Sequence, residues 1–438
     1  MSNNKIIIGS GLCGPLLAIL LAQRGFKVDL YEKRNDIRIK TPSSGKSINL
    51  ALSYRGIEAL KAAKVFDNIK PLMIPMKGRM LHLSNGKIQY QSYSTHSYEY
   101  INSISRLDLN RILINKAEES KNINIFFDHQ LKDINQKKFI FNNKKIPISK
   151  YILGADGVGS VIRKHIDKNV SPPSFIEPLG HCYKELHIPP SYKGNFQLEP
   201  HALHIWPRKG FMLIALPNSD KSFTCTLFLK EQGKTSFQEF LSGKSIIDFF
   251  KIHFNDVLSL IENFPDSFFS NPTGKLGTVY AKNWQYNDQF CLFGDAAHAI
   301  VPFFGQGMNA SFEDCRIFIE LLDKESKNWD KIFNKYSIIR KPDGDAIAKM
   351  AIENYIEMRD LVVQNEFINR KKIANILWDK FPDYFIPRYN MVSFTSIPYS
   401  EVYRRGQIQS RIIDKLNLKT LDFELAQKLI FDNLNPLS

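Results

Sequence analysis

The chain is poor in the features that mark metal-binding, secreted or membrane proteins. Its 438 residues include five cysteines, Cys13, Cys182, Cys225, Cys291 and Cys315, in no CxxC or other metal-ligand spacing. No metal site is therefore expected. Thiols set within apolar segments read as reduced and buried, in a cytoplasmic setting. The longest apolar run, Leu12 to Leu21, contains Gly14 and Pro15 and is too short to span a bilayer. No leader, apolar tail, internal repeat or low-complexity linker is legible. The expectation is a soluble chain without a membrane anchor that weaves between lobes. Acidic residues are outnumbered, leaving a formal charge of +15. The basic residues are scattered and form no aromatic-interleaved stripe, which argues against a nucleic-acid partner. The excess reads as a solvated Lys-rich surface, with steering of anionic small molecules as the functional alternative. At 43% hydrophobic and 12% aromatic the chain has ample material for a core.

What is present starts at the N-terminus. In KIIIGSGLCGP, Lys5 to Ile8 reads as a buried parallel strand. Residues 14–23 (GPLLAILLAQ) read as a helix with Pro15 in its first turn, and residues 27–31 (KVDLY) as a second strand ending at Glu32. This is a complete βαβ unit. Gly9, Gly11 and Gly14 permit the tight turn and let backbone N–H groups approach a pyrophosphate at the helix N-terminus. Glu32 is placed to accept hydrogen bonds from a ribose 2′-OH. A glycine-rich turn in some other α/β protein is the plain alternative.

The identity of the dinucleotide is decided late in the chain. In QFCLFGDAAHAIVPFFGQGMNASFEDC (289–315) a strand ends at Gly294-Asp295, placing Asp295 to accept from a polyol hydroxyl. Gly305, Gly307 and a helix starting near Met308 then offer free N–H groups to an anion or carbonyl. A nicotinamide fold needs no second site so far along. A flavin does, because its ribityl chain and ring extend beyond the adenosine half. Between the two lies YILGADGVGSVIR (151–163), a strand, a turn at Asp156-Gly157 and a helix carrying Arg163. In this order the three elements resemble the FAD-dependent aromatic-ring hydroxylases.

The expected fold is mixed α/β (α+β): a Rossmann-like FAD-binding domain interleaved with a β-sheet substrate domain, followed by a helical region. The FAD-binding domain is assigned to residues 1–75, 101–180 and 281–340, the sheet domain to 76–100 and 181–280, and the helical region to 341–438. Residues 76–100 alternate in polarity about a turn at Asn85-Gly86 and read as a hairpin.

The resemblance narrows further. GKSINLALSYRGIEAL (45–60), GRMLHL (78–83), SRLDLNRILI (105–114), YKEL (183–186), LEPHALHIWPR (198–208), PTGKL (272–276), GDAAHAIVPFFGQGMNASFED (294–314), ENYIEM (353–358) and FIPRYNMVSF (385–394) resemble the kynurenine 3-monooxygenase family, over essentially the whole chain. The resemblance implies FAD, NADPH and O2 as reactants. It also implies hydroxylation of L-kynurenine at ring position 3 through a flavin hydroperoxide, in tryptophan degradation and pyridine nucleotide biosynthesis. Eukaryotic members carry a C-terminal apolar anchor, so this chain resembles the soluble bacterial members.

An amino acid with a 2-aminobenzoyl ring needs a cation for its carboxylate, polar partners and a dry box for the ring. Arg79, in an otherwise apolar strand, is either an exposed edge residue or a carboxylate clamp; the resemblance makes it the clamp. Tyr93 would reinforce it, or pack. Asn354 is the polar member of the helical stripe Ile347, Ala351, Asn354, Met358, Leu361. It is either a core amide bonded to nearby backbone or, by the resemblance, a substrate ligand joined by Tyr389. Leu203, Met212, Ile214, Leu216 and Phe228 would wall the ring, with Met358 beside them.

No certain catalytic side chain is legible, since the chemistry is borne by the cofactor. His298 reads as a packing residue more readily than as a base. The loop Pro302, Phe303, Phe304, Gly305, Gln306 should lie over the reactive face of the flavin and exclude water. For FAD the expected contacts are Gly9, Gly11, Cys13 and Gly14 at the pyrophosphate and Tyr31, Glu32, Lys33 and Arg34 at the ribose. Leu50, Ala51, Arg106, Leu131 and Asp156 are expected along its length, and Asp295, Gly307, Met308 and Asn309 at the ribityl and flavin carbonyls. No second dinucleotide motif marks a site for NADPH. A hydroxylase of another aromatic acid, a flavin oxidase of amines, and a basic nucleic-acid-binding protein on a vestigial dinucleotide fold are the competing readings.

Overall fold

The computed structural model describes residues 4–39, 49–135, 138–142, 144–325 and 328–437; residues 45–48 of the GKSINLALSYRGIEAL segment lie outside these. Lys5–Ile8 is buried at every position, as a parallel strand covered on both faces must be. It pairs in parallel with Val28–Tyr31 on one side and with Ile152–Gly154 on the other. The helix Cys13–Ala22 between the first two strands is buried along its whole length. Pro15 falls in its first turn, where the missing N–H has no intrahelical acceptor to lose. The complete sheet runs Gln285–Tyr286, Phe290–Leu292, Ile152–Gly154, Lys5–Ile8, Val28–Tyr31, Ile123–Phe126. Across its four central strands Leu292, Gly154, Ile8 and Tyr31 are register neighbours. The three distant motifs therefore leave the sheet side by side, at the carboxyl ends where open α/β sheets bind ligands.

The expected hairpin is present as Gly78–His82 and Ile88–Ser92, and Gly86 adopts φ +79° at its turn. It joins a seven-stranded sheet in the order Thr273–Tyr280, Phe175–Ile188, Phe223–Lys230, Met212–Pro217, Ala202–Pro207, Gly78–His82, Ile88–Ser92. All pairs are antiparallel except Ala202–Pro207 with Gly78–His82. Side chains alternate between the two faces. Leu213 and Ala215 pack with Phe249 and Phe250 of the helix Gly243–His253, while Met212, Ile214 and Leu216 point to the other side. A three-stranded sheet of Asn49–Leu52, Ile101–Ser105 and Ile74–Met76 lies between the lobes in sequence.

Three elements cross the assigned domain boundaries, the first being strand Ile74–Met76, which spans the one between residues 75 and 76. Strand Phe175–Ile188 begins ahead of residue 181, and one helix, Trp329–Ile356, runs straight through residue 341. Pro342 inside that helix costs one ladder hydrogen bond, and is outweighed by the buried Tyr336, Arg340, Ile347 and Ala351 on either side. The helix ends in a π-turn, Glu357–Leu361. Four helices, Asn365–Lys380, Arg388–Phe394, Tyr399–Asp414 and Phe423–Asn433, complete the chain. A core of their own includes Leu377, Phe385, Ile412 and Ile430. Among the described residues, no helix is long and apolar enough to cross a membrane.

Candidate active site

A single cavity of about 730 Å³ runs from the glycine turn to the seven-stranded sheet. At one end Gly9, Gly11 and Cys13 line it, with Tyr31, Glu32, Lys33, Arg34 and Leu131. Gly9 is in the left-handed region at φ +104°, and a Cβ there would lie 2.3 Å from the Ala155 carbonyl oxygen. A Cβ on Gly11 would meet nothing within 4 Å, so its missing side chain leaves space in the cavity instead of relieving a clash. Glu32 is buried. One carboxylate oxygen accepts the Ser10 N–H at 2.7 Å, and the other accepts the Arg34 N–H at 3.0 Å and Nε at 2.8 Å. Tyr31 stacks on Phe126, and burial, aided by Asp29, pushes its phenol up to about 12.

The second motif joins this wall. Asp156 accepts the Val161 N–H at 2.7 Å and keeps its buried Oδ1 without a hydrogen bond among the described residues. Burial holds its carboxyl above the usual range. Arg163 donates to the carbonyls of Ala296 and Val158, tying this turn to the one that carries Asp295. Leu50, Ala51, Arg106, Asp295, Gly307 and Met308 line the middle of the cavity. Arg106 opens a helix, Arg106–Glu118, capped by Ser105. The long cavity, the side-chain-free cradle at Gly11, the unpartnered Asp156 oxygen and the cation of Arg106 fit FAD.

The far end is apolar with one charged pair. Arg79 is 5% exposed, and its Nη1 donates to Glu357 at 2.9 Å. The guanidinium lies over the rings of Tyr93 and Tyr389, which stack on each other at 5.1 Å. Burial opposes the charge of Arg79, but the Glu357 carboxylate and the Tyr93 and Tyr389 phenols together outweigh it and hold the group above its ordinary value. Its Nε is buried without a hydrogen bond among the described residues. Lys371 donates to the Ser92 carbonyl at 2.8 Å, and burial, with Arg79 nearby, lowers its ammonium to about 8. Leu203, Ile214, Leu216, Phe228 and Met358 wall the space beside Arg79, and Pro302, Phe303, Phe304 and Gly305 close it. Phe303 stacks on Tyr355 at 3.9 Å and meets Phe228 edge-on; Phe304 stacks on Tyr389.

Several expected contacts lie behind the wall. Gly14 does not line the cavity: a Cβ there would sit 1.9 Å from the Gly9 carbonyl oxygen, so this glycine serves helix–strand packing. Asn309 is consumed by structure. Its Oδ1 accepts the Ser53 N–H and its Nδ2 donates to the carbonyls of Ala51 and Gly305, each at 2.8 to 2.9 Å. Gln306 is buried, accepting from the Tyr399 hydroxyl at 2.8 Å. Met212 lies on the cavity-facing side of its strand, but beyond the cavity's end, in the adjoining core. Asn354 is also off the wall. Its Nδ2 donates to the Phe303 carbonyl at 2.8 Å, so the core-amide alternative describes this geometry. His298 likewise packs, stacked on Trp284 and 2.5 Å from Asp314 within a buried network with Arg340.

Two kinds of residue were not singled out from sequence: Glu357, which bears on the site through its pairing with Arg79, and the lining residues Tyr183, Glu185, Thr224, Thr226 and Lys275 on the sheet. A signal for Glu357 exists, since a buried arginine requires a carboxylate and Glu357 stands three residues after Asn354.

Residues 4–351 match the FAD binding domain family. The chain is 41% identical over 435 residues to kynurenine 3-monooxygenase of Legionella pneumophila (strain Corby), covering 97% of this chain and 96% of that protein. It is 43% identical over 416 residues to kynurenine 3-monooxygenase of Sus scrofa, covering 93% and 87%. Among solved structures, the tetrameric form of 2-methyl-3-hydroxypyridine-5-carboxylic acid oxygenase shares the fold. Its TM-score is 0.66 at 17% identity, over 82% of this chain and 94% of that one. The chain belongs to the kynurenine 3-monooxygenase family, built on an FAD-binding domain.

Proposed function

We propose that this chain hydroxylates L-kynurenine at ring position 3, with FAD as cofactor and NADPH and O2 as co-substrates. The observation that carries the reading is the Arg79–Glu357 pair at the end of an apolar box. A buried cation beside a half-buried anion complements the carboxylate and ammonium of an α-amino acid, and a neutral or purely anionic aromatic would leave one of them unmatched. Arg79 receives the carboxylate, its free Nε supplying a donor. Glu357 receives the ammonium. Tyr93 and Tyr389, stacked on each other, pack their rings against the guanidinium and fix its direction. Leu203, Ile214, Leu216, Phe228 and Met358 receive the aminobenzoyl ring.

FAD, when bound, supplies the redox chemistry that couples NADPH oxidation to activation of O2. Gly9, Gly11 and Cys13 would hold its pyrophosphate, and Glu32 its ribose. Arg106, Asp156, Asp295, Gly307 and Met308 would hold its remaining polar groups. Phe303 and Phe304 exclude water from the reacting face, and Asn354 holds that loop in place through the Phe303 carbonyl. The five buried, free cysteines support a reducing, cytoplasmic setting.

The test is anaerobic reduction of the purified, flavin-loaded protein by NADPH with and without L-kynurenine, followed by admission of O2. The reading expects reduction promoted by L-kynurenine and 3-hydroxykynurenine on oxygenation. Reduction indifferent to L-kynurenine, with no hydroxylated product, overturns it.

A further inference from the structure

The register of the seven-stranded sheet sets the cavity wall in rows. Leu81, Ile205, Ile214, Thr226 and Glu185 are successive neighbours across five strands. In the adjoining row Arg79 faces Leu203, and Leu216 faces Thr224. Strands stand about 4.8 Å apart, so Thr226 is one step and Glu185 two steps from Ile214 in the apolar box. The sheet face thus changes from cation through apolar side chains to two hydroxyls and one carboxylate.

Glu185 is half-buried, and its backbone carbonyl is held by the Asn271 amide at 2.8 Å. Among the described residues, no hydrogen bond occupies its carboxylate, whereas Glu32 and Asp156 on the same cavity accept backbone N–H groups. The charged and titratable groups around it are Tyr183 on its own strand, Arg106 from the helix start and Lys275 on the edge strand, itself paired with Glu231 at 2.6 Å. Burial lifts the Glu185 carboxyl to about 7, with Arg106 moderating the rise. It therefore exchanges a proton near neutrality.

Ring hydroxylation forms a C–O bond and breaks the C–H bond at the same carbon. The C–H electron pair returns to the ring, and the proton must leave a box whose walls, Leu203, Ile214, Leu216 and Phe228, hold no base. The guanidinium of Arg79 cannot take it. We propose that Glu185 is the final acceptor of this proton, reached through the Thr226 hydroxyl. Thr226 takes the ring proton as it passes its own to the carboxylate, so the hydroxyl is regenerated and Glu185 ends protonated. The oxygen atom and the electrons are those of the hydroxylation itself. The relay rests on the reading of the box as the L-kynurenine site.

The test uses the flavin-loaded enzyme and its Glu185→Gln, Glu185→Asp and Thr226→Val variants. Each is assayed with L-kynurenine and with L-kynurenine deuterated at the hydroxylated carbon, from pH 6 to 8.5. Expected for Glu185→Gln are unchanged FAD content, unchanged NADPH-driven flavin reduction and a kcat lower by about 100-fold, the typical yield of a placed proton acceptor. Wild-type kcat rises as pH passes about 7, where Glu185 becomes a carboxylate; the Gln variant lacks that limb. A primary isotope effect absent in the wild type appears in Glu185→Gln and in Thr226→Val, and Glu185→Asp restores part of the rate. A Gln variant with wild-type kcat, pH limb and isotope effect overturns the relay. If Glu185→Gln does not retain FAD, Thr226→Val decides, because it changes no charge, and absence of an isotope effect there overturns the relay equally. A wild-type enzyme that forms no 3-hydroxykynurenine overturns the site reading, and the relay with it; variants that match a hydroxylating wild type overturn the relay alone.

Discussion

Arg79 lies in a strand where solvent cannot reach it, so its charge depends on Glu357 and on the faces of Tyr93 and Tyr389. Removing it leaves Glu357 as the sole charge of the clamp and takes away the carboxylate's partner. Arg79→Ala should raise KM for L-kynurenine by about 10- to 150-fold, since a charge-assisted hydrogen bond is worth roughly 1.5–3 kcal/mol, while FAD content stays at the wild-type level. Arg79→Lys should recover only part of the affinity, because the planar fork that bonds a carboxylate twice is lost. Steady-state kinetics with flavin quantitation checks both, and a wild-type KM in the Ala variant removes the clamp. At this scale the sequence was partly legible. Gly9 was readable because a tight turn demands φ above zero. Glu357 was not, because its partner is 278 residues away and only the fold brings them together. Asn354 stood out as a polar residue on an apolar stripe. That pattern does not distinguish an amide facing a ligand from one facing a backbone carbonyl, and its bond to Phe303 is of the second kind.

Among the elements, the loop Pro302–Phe304 and the helix Trp329–Ile356 act together. The loop supplies two rings to the cavity wall, and the helix fixes it through Asn354 and through Tyr355 stacked on Phe303. The helix then departs from α geometry at Glu357–Leu361, where Glu357 pairs with Arg79 and Met358 lines the cavity. Such π-turns recur at functional positions because they re-aim side chains. Changing Phe303 and Phe304 together to Ala should admit water: NADPH oxidation continues, hydroxylation falls, and H2O2 rises to make up the difference. Asn354→Ala should move the same ratio in the same direction at saturating substrate, since it leaves the buried Phe303 carbonyl unpaired at a cost of about 1–3 kcal/mol. Peroxide and product measured per NADPH decide both, and an Asn354→Ala variant that changes only KM would return Asn354 to direct ligand duty. The helices and strands themselves followed from apolar runs and periodicity. The boundary assigned at residue 341 coincides with no element end, because burial on both sides of Pro342 carries the helix through it.

In the whole molecule, the cavity exists because three motifs spread over about two thirds of the chain leave one sheet at the carboxyl ends of adjacent strands, facing a second sheet. The order of the motifs revealed the first lobe, and alternation revealed the second. Which polar residues of the second sheet face the cavity depends on strand register, so Glu185 and Thr226 stayed unremarked in a run of otherwise ordinary strand residues. The far face of that sheet is held by a hydrogen-bonded chain of its own, buried at Trp206, His82 and His204 and open to solvent at Asp256. Asp256 accepts from Trp206 at 2.7 Å and lies 3.1 Å from His82, His82 is 2.8 Å from His204, and His204 lies 2.9 Å from the Glu199 carbonyl. Burial, against the pull of that carbonyl and with His82 adding to it, pushes His204 down to about 4. An unfolded chain binds a proton at this histidine below about pH 6.5, whereas the folded chain refuses it until near 4. Stability from this group is therefore complete above pH 6.5 and is lost as pH falls from there to 4. Thermal melts across that range should show a falling Tm, with a shallower fall in His204→Gln; equal slopes would remove His204 as the source.

The most direct test of the whole account follows NADPH consumed, 3-hydroxykynurenine formed and H2O2 released in one assay at saturating L-kynurenine. The account predicts NADPH oxidation that depends on L-kynurenine and one 3-hydroxykynurenine for each NADPH, with little peroxide. NADPH oxidation that proceeds equally without L-kynurenine, and ends entirely as peroxide, would contradict it.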